Sequence, residues 1–309
     1  MSNKTVLNVD VHADDYAYSV NTSKDILDCI KEGKLDSFSI ICNTSQYESC
    51  MKLLYDTIPN LPILPLMSVH INLVEGLKTS PEDLDLISDN GILNKSWGYY
   101  FSNSYKPSGE LKNQLKKEIK AQIDKTWEDI MKCFEIADKN GVEREQNAIR
   151  IDSHVHTHLI HVVWNALIEV IEENDYKIEY IRNPKEPAEL YFDNRILKTI
   201  EPINIIKNRI LMLYSKKVDD YCDKNGINKM YMIGLMMSGK MDLDRINVIY
   251  DKTLEKARKD SRTVEFLFHP GKALESEKEK EMNDDYFSSF NSSDNRLIEK
   301  EAVLKLRRD

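Results

Sequence analysis

The sequence has no long apolar run, no excess of basic residues and no paired cysteines, and each lack removes a class of protein. No stretch approaches the ~18 consecutive apolar residues of a membrane span. Even residues 63–74 are interrupted by Pro65, Ser68, His70 and Asn72, so a soluble protein without a membrane partner is expected. The formal charge of -9 would repel phosphate backbones and anionic lipid, which argues against nucleic acid and favours a neutral ligand. The five cysteines, Cys29, Cys42, Cys50, Cys133 and Cys222, are odd in number and have no C-x-x-C spacing. Reduced thiols in a cytoplasmic protein are therefore expected, not a disulfide framework or a zinc knuckle. Residues 1–9 lack the charged start, apolar segment and small-residue cleavage site of a secretory signal. No internal repeat is visible.

What is present is 41% hydrophobic and 31% charged residues, enough apolar material for a sizeable core beneath a solvated surface. The 309 residues fit one large domain with extensions, because α/β barrels run to roughly 200 to 250 residues as a unit. Residues 5–10, 37–42, 66–73, 148–152, 177–182, 229–233 and 263–268 read as strands. They alternate with helical patterns over 19–32, 46–56, 110–139, 161–173, 204–224 and 243–259, the first ending at Gly33 and the third at Asn140-Gly141. About seven strand and helix pairs predict parallel strands in an α/β fold, a distorted TIM-like barrel. Residues 75–108 break the rhythm with Pro81, Gly91, Gly98, Pro107 and the aromatics Trp97, Tyr99, Tyr100 and Phe101, an irregular insertion expected to face substrate as a lid. Residues 273–292 are rich in charge and serine and read as a solvated connection before a C-terminal helix at 297–306.

The histidines collect at strand ends: His12, His70 and His269 each end a strand, and His154, His156, His158 and His161 lie together after another. In a barrel the C-terminal ends of the strands converge on one mouth, so Asp14, Asp15, His70, His154 and His269 are candidates for a shared site. One carboxylate and two imidazoles suit a catalytic transition-metal or zinc centre that keeps a position open for water. An extended H-x-H-x-H would point His154, His156 and His158 to one face, one binding metal and others orienting it or meeting substrate. The neighbouring Asp14 and Asp15, read as lying on a turn, can divide the work between the metal and the proton of an attacking water.

These segments resemble, in order, those of the YdjC-like, or ChbG-type, carbohydrate deacetylases. His12-Ala-Asp-Asp-Tyr16 is similar to that family's N/H-A-D-D-F-G turn, and Ser68-Val-His-Ile-Asn-Leu-Val-Glu-Gly76 to its G-x-H-x-N-L-x-E-G strand. Ile151-Asp-Ser-His-Val-His-Thr-His158 resembles I-D-S-H-x-H-x-H, Ile181-Arg-Asn-Pro-Lys-Glu186 resembles R-x-P-x-E, and Phe266-Leu-Phe-His-Pro-Gly271 resembles a late C-H-P-G. The resemblance implies a divalent metal, Mg or Zn ahead of Co, Ni or Mn, held by Asp15, His70 and His154. It further implies Asp14 as base, His269 as partner acid, and substrate contacts from His156, His158, Asn72, Glu75, Arg182 and Trp97. The implied substrate is a small acetylated oligosaccharide, chitin-derived for example, and a homodimer is left open. Ala17, Ser68 and Phe268 depart from the family's Gly, Gly and Cys, which bears on loop geometry and substrate more than on the metal site. Two rivals stand beside this reading: another metal-dependent amidohydrolase or phosphoesterase on a similar barrel, and a catalytically silent sugar-binding barrel.

Overall fold

The computed structural model describes residues 9–192 and 194–306. Among them, seven strands form one parallel sheet: β1 (Val9–Tyr16), β2 (Ser37–Ile40), β3 (Leu66–Ile71), β6 (Ile149–Ser153), β7 (Ile178–Ile181), β8 (Met230–Ile233) and β9 (Thr263–Phe268). A small hairpin, β4 (Ser88–Asp89) with β5 (Ile92–Leu93), stands apart. The sheet order is β7-β6-β3-β2-β1-β9-β8, a curled half-barrel with helices outside, as the strand and helix alternation predicts. The helices are α1 (Val20–Lys31), α2 (Tyr47–Thr57), α3 (Trp97–Asn103), α4 (Gly109–Asn140), α5 (His161–Glu173), α6 (Asn194–Leu197), α7 (Pro202–Asn225), α8 (Leu243–Lys259), α9 (Asp284–Tyr286) and α10 (Asn295–Lys305).

Local chemistry sets these boundaries. Ser19, Ser108 and Asp242 accept hydrogen bonds from backbone N–H groups in the first turns of α1, α4 and α8. Gly141 and Gly226, at φ 70 and 68, end α4 and α7 in the left-handed conformation that glycine enters without a steric penalty. The strands are almost wholly buried, the polar His12, Asp14, Asp15, His70 and Asp152 included. α4 lays Leu111, Leu115, Ile119, Ile123, Ile130 and Phe134 onto the sheet, each buried side chain contributing roughly 1.5–3 kcal/mol. All five cysteines are buried and unbridged.

The sheet is open between β7 and β8. That seam is crossed by Met232 N donating to Lys185 O at 3.2 Å and by the Glu186 carboxylate, which accepts from Gly234 N and Met236 N at 2.8 Å each.

Three expectations need correction. The first strand runs from Val9 through Tyr16, so Asp14 and Asp15 lie on the strand and not on a turn after it; residues 5–8 of the expected strand lie outside the described residues. The insertion at 75–108 is largely pinned: Leu84, Ile87, Leu93 and Tyr100 are fully buried, and Glu118 of α4 accepts from Thr79 N and Ser80 N. The stretch 273–292 is not merely solvated. Its acidic side chains satisfy backbone donors at the top of the barrel, Glu277 accepting from Asn21 N at 2.8 Å and Glu281 from Ser45 N at 3.0 Å, while Phe287 is buried. Glu275, Lys278, Glu279, Lys280, Asp284 and Asp285 are exposed, so the charge there serves solvation as well as loop capping.

Candidate active site

A bulge in β1 builds the site. Ala13 pairs with Phe38 and Tyr16 with Ile40, so three steps on β1 match two on β2, and Asp15 takes φ 69 within the extra residue. In a regular strand adjacent side chains point to opposite faces. The bulge re-aims them, and both carboxylates reach the mouth.

His70, on β3, gives its Nδ1 to Asp152 Oδ1 at 2.6 Å and to Ser39 Oγ at 2.9 Å. These partners fix the ring and leave Nε2 buried, without a hydrogen bond, 3.5 Å from Asp15 Oδ1. His154, following β6, sets Nδ1 3.1 Å from Asp15 Oδ1 and Nε2 2.9 Å from Glu75 Oε1, the latter misaligned for a hydrogen bond. One ligand atom from each of Asp15, His70 and His154 lies within 4.8 Å of the others. An orphaned imidazole nitrogen, a second imidazole and a carboxylate converging in a buried pocket fit a divalent cation. Burial opposes the charge on Asp15, yet His154, His269 and His70 outweigh it and hold the carboxyl down at about 2. Burial likewise opposes protonation of His154, but Asp15 and Glu75 push it up to about 10.

Beneath this cluster lies a second layer. Arg182 is fully buried and makes a bidentate pair with Asp14, Nη1 to Oδ2 at 2.9 Å and Nη2 to Oδ1 at 2.8 Å. It also reaches Glu265 at 2.8 Å and Asp152 at 3.0 Å. Ser39 Oγ donates to Asp14 Oδ1 at 2.8 Å, and His12 Nε2 lies 3.1 Å from the same oxygen. Burial opposes ionisation of Asp14, but Arg182, His70 and His12 hold its carboxyl well below the usual range. Asp14 is thus a carboxylate throughout the physiological range, and it lines the cleft.

The histidine run is not extended. Residues 154–159 form a tight turn with Val155 and His156 at φ 45 and 56, so the three histidines part company. His154 meets Asp15; His156 lines the cleft, its pKa held well below the ordinary value by burial and by Arg182. His158 is buried, with Nδ1 against Ser153 Oγ at 2.5 Å and Nε2 against Arg182 O at 2.9 Å, which removes it from substrate. Three other residues expected to contact substrate are likewise buried among protein partners. Arg182 is consumed by carboxylates. Asn72 is buried, its Oδ1 accepting from Val74 N and Glu75 N. Glu75 turns toward His154 and accepts from Asn283 N at 2.7 Å.

A cleft of ≈ 520 Å³ opens above, lined by Asp14, His154, His156, His269, Trp97, Tyr286 and Phe290, and on the α7 side by Asn204, Lys207 and Ile210. His269, at the end of β9, places Nε2 3.9 Å from Asp14 Oδ2. Trp97 stacks on Phe101 at 5.4 Å. Sequence reasoning missed Ser39 and Glu265, which lie in strands without motif character, Asp152, which stands inside the I-D-S-H motif but was given no role, and also Tyr286, Phe290 and Glu299. The aromatic pair within a charged stretch was the one available signal for the cleft wall.

A family model described as YdjC-like protein matches residues 8–130 and 148–305. A carbohydrate deacetylase of Danio rerio is 25% identical over 182 residues, covering 58% of this chain and 50% of that protein. One of Xenopus laevis is 26% identical over 181 residues, covering 57% and 50%. The chain spans about half the length of the curated relatives it matches. Among solved structures, one from Enterococcus faecalis, described as a candidate cellobiose-phosphate cleavage protein, superposes with a TM-score of 0.56 at 15% identity, covering 98% of this chain and 92% of that one. At that identity the likeness concerns the fold alone.

Proposed function

The chain belongs to the YdjC-like family, and from that premise and the geometry of its mouth we propose that it is a divalent-metal-dependent hydrolase removing acetyl groups from N-acetylated amino sugars. The observation that carries the reading is the juxtaposition of Asp15, His70 and His154 with an ionised Asp14 and with His269 around one cleft. Two imidazoles among three donors favour zinc, cobalt or nickel over magnesium.

When bound, the cation would lower the pKa of a water and polarise the acetamide carbonyl. Asp14 takes the proton of the water that attacks the carbonyl carbon. Arg182 and Ser39 hold that carboxylate in place, so its geometry is set before substrate arrives. As the C–N bond breaks, His269 Nε2 gives a proton to the departing amine, and acetate leaves with the water oxygen. His156, neutral and in the cleft wall, offers a hydrogen-bonding partner to the sugar. Trp97, Tyr286 and Phe290 supply apolar faces suited to a sugar ring, and the overall charge of -9 suits a neutral glycan.

The test is acetate and amine release from N,N'-diacetylchitobiose and longer chito-oligosaccharides by chelator-treated protein restored with Zn, Co, Ni, Mn or Mg. Metal-restored release is expected. Asp14→Asn should lower kcat by about 10²–10⁴-fold, the range for a lost general base, while still binding metal. Unchanged turnover in that variant removes Asp14 from the role; tight metal binding without release from any acetylated sugar sends the site to another amide or ester.

A further inference from the structure

The C-terminal helix α10 holds His269 through both of its main-chain groups. Glu299 Oε2 accepts from His269 N at 2.7 Å, and Arg296 Nη1 donates to His269 O at 3.3 Å. Glu299 and Arg296 are themselves buried and paired, Nη2 to Oε1 at 3.1 Å. The Glu299 Oε2 atom also lies 3.6 Å from His269 Nδ1, an ion-pair distance rather than a hydrogen bond, and on the ring's other side Nε2 faces Asp14. The imidazole therefore sits between two carboxylates, one at the cleft and one closed off from water.

We propose that Glu299 is a positioning residue for the proton-donating step: its carboxylate orients the His269 ring and selects the neutral tautomer with the proton on Nδ1, so that Nε2 is the nitrogen that exchanges a proton with the cleft. The inference rests on the deacetylase reading for its place in the reaction, but the pairing stands on geometry. Burial opposes the charge on Glu299, yet Arg296 and His269 lower its pKa, so a negative acceptor is present behind the ring. A donor that loses Nε2–H to the amine becomes neutral with its remaining hydrogen on Nδ1, the form that Glu299 stabilises; the step moves one proton and leaves the carboxylate ionised. The other groups facing the ring are Asp14 and Asp15 of β1, Arg296 of α10, and the aromatic pair Tyr286 and Phe290, whose Phe290 ring meets His269 edge-on at 5.1 Å. Glu299, whose Oε2 lies 3.6 Å from Nδ1, is the carboxylate on that side of the ring, and Asp14 is the one on the Nε2 side.

Nitrogen NMR on the full-length protein labelled at histidine and loaded with zinc reads the tautomer directly, with His269→Gln assigning the signal. In the wild type the neutral ring is expected to carry its proton on Nδ1. Glu299→Gln keeps an oxygen for the His269 backbone N–H but removes the charge. Its ring should move toward the Nε2–H form, kcat should fall about tenfold or more with KM unchanged, and the basic limb of the kcat profile should shift to lower pH by about one unit. A purely structural Glu299 would move neither tautomer nor pH profile, and an unchanged tautomer in Glu299→Gln with activity tracking the folded fraction overturns the proposal. Should that variant fail to fold, the wild-type spectrum decides alone, because a dominant Nε2–H form contradicts the assignment. If the wild type releases no acetate from any chito-oligosaccharide, the tautomer still tests the pairing, so the two failures are told apart.

Discussion

Two layers of buried charge lie one above the other in this barrel, built from the same residue types, and they are compensated differently. In the lower layer Asp14, Asp152 and Glu265 surround Arg182, a guanidinium that cannot lose its charge. His12 adds to it: burial and Arg182 oppose its protonation, but Glu265 and Asp14 raise its pKa overall. In the upper layer Asp15 and Glu75 face His154, whose charge is a proton that can be removed, and His70 Nε2 has no hydrogen bond. A permanent internal cation makes the lower layer the scaffold that holds the Asp14 carboxylate, and it opposes further positive charge on His12, whose Nε2 is also without a hydrogen bond. The upper layer has no guanidinium, so its exchangeable proton and the unused His70 nitrogen leave a place for a ligand.

The largest effect that would break this comparison is in the lower layer. Arg182→Met leaves three carboxylates buried without their main counter-charge, and loss of one partner from a buried pair costs about 3–5 kcal/mol. Denaturant unfolding of metal-free protein should show a loss of that size, or no folded protein at all. His70→Ala, in the upper layer, should cost distinctly less under the same metal-free conditions. Equal losses from the two variants would mean that both layers serve the fold alike.

This division was only partly legible in the sequence. Asp14, Asp15, His70, His154 and His269 could be gathered because an alternating parallel fold brings strand C-termini to one mouth, whatever their separation along the chain. The role of Arg182 was not legible: a motif position says that an arginine is present, but not that three carboxylates from β1, β6 and β9 enclose it. The separation of His154, His156 and His158 depends on two left-handed residues, Val155 and His156, a conformation that a β-branched valine resists and that periodicity does not signal. Glu299 lay hidden in an ordinary charged helix, where a buried glutamate looks no different from a solvated one until the helix docks.

The next effect sharpens the claim for the upper layer. A cation that binds only the folded protein stabilises it by about 2.7 kcal/mol at a hundredfold excess over Kd. Zinc should therefore raise the melting temperature of the wild type and leave that of His70→Ala unchanged. The pH dependence follows from the two shifted groups. Asp15, lowered to about 2, contributes stability present above its ordinary 3.8 and lost as pH falls through about 2. His154, raised to about 10, contributes stability fully present below its ordinary 6.5 and lost as pH rises through about 10. The metal-free pair thus contributes most between roughly pH 4 and 6.5. Metal must displace the His154 proton, so affinity should rise by about tenfold per pH unit across the neutral range, read by chelator competition at several pH values. Affinity that does not change with pH would mean that His154 carries no proton to displace, and the contrast between the layers would lose its basis.

The smallest expected effect concerns what sits over the upper layer. Trp97 lines the cleft and stacks on Phe101 of its own helix α3. Tyr286 differs: it stacks on Phe290 at 4.9 Å and meets the His154 ring edge-on at 5.0 Å. If both rings flank a bound sugar, Trp97→Ala should raise KM by about 5- to 10-fold, an aromatic contact of roughly 1 kcal/mol, with kcat unchanged. Tyr286→Ala should raise KM similarly and also lower kcat, because it frees one side of a proposed metal ligand. A Trp97→Ala variant with altered melting temperature and unaltered KM assigns that ring to packing of the insertion. In that case the sugar-facing wall is supplied by Tyr286 and Phe290, and the stretch that sequence reading placed in solvent becomes the part of the cleft that touches substrate.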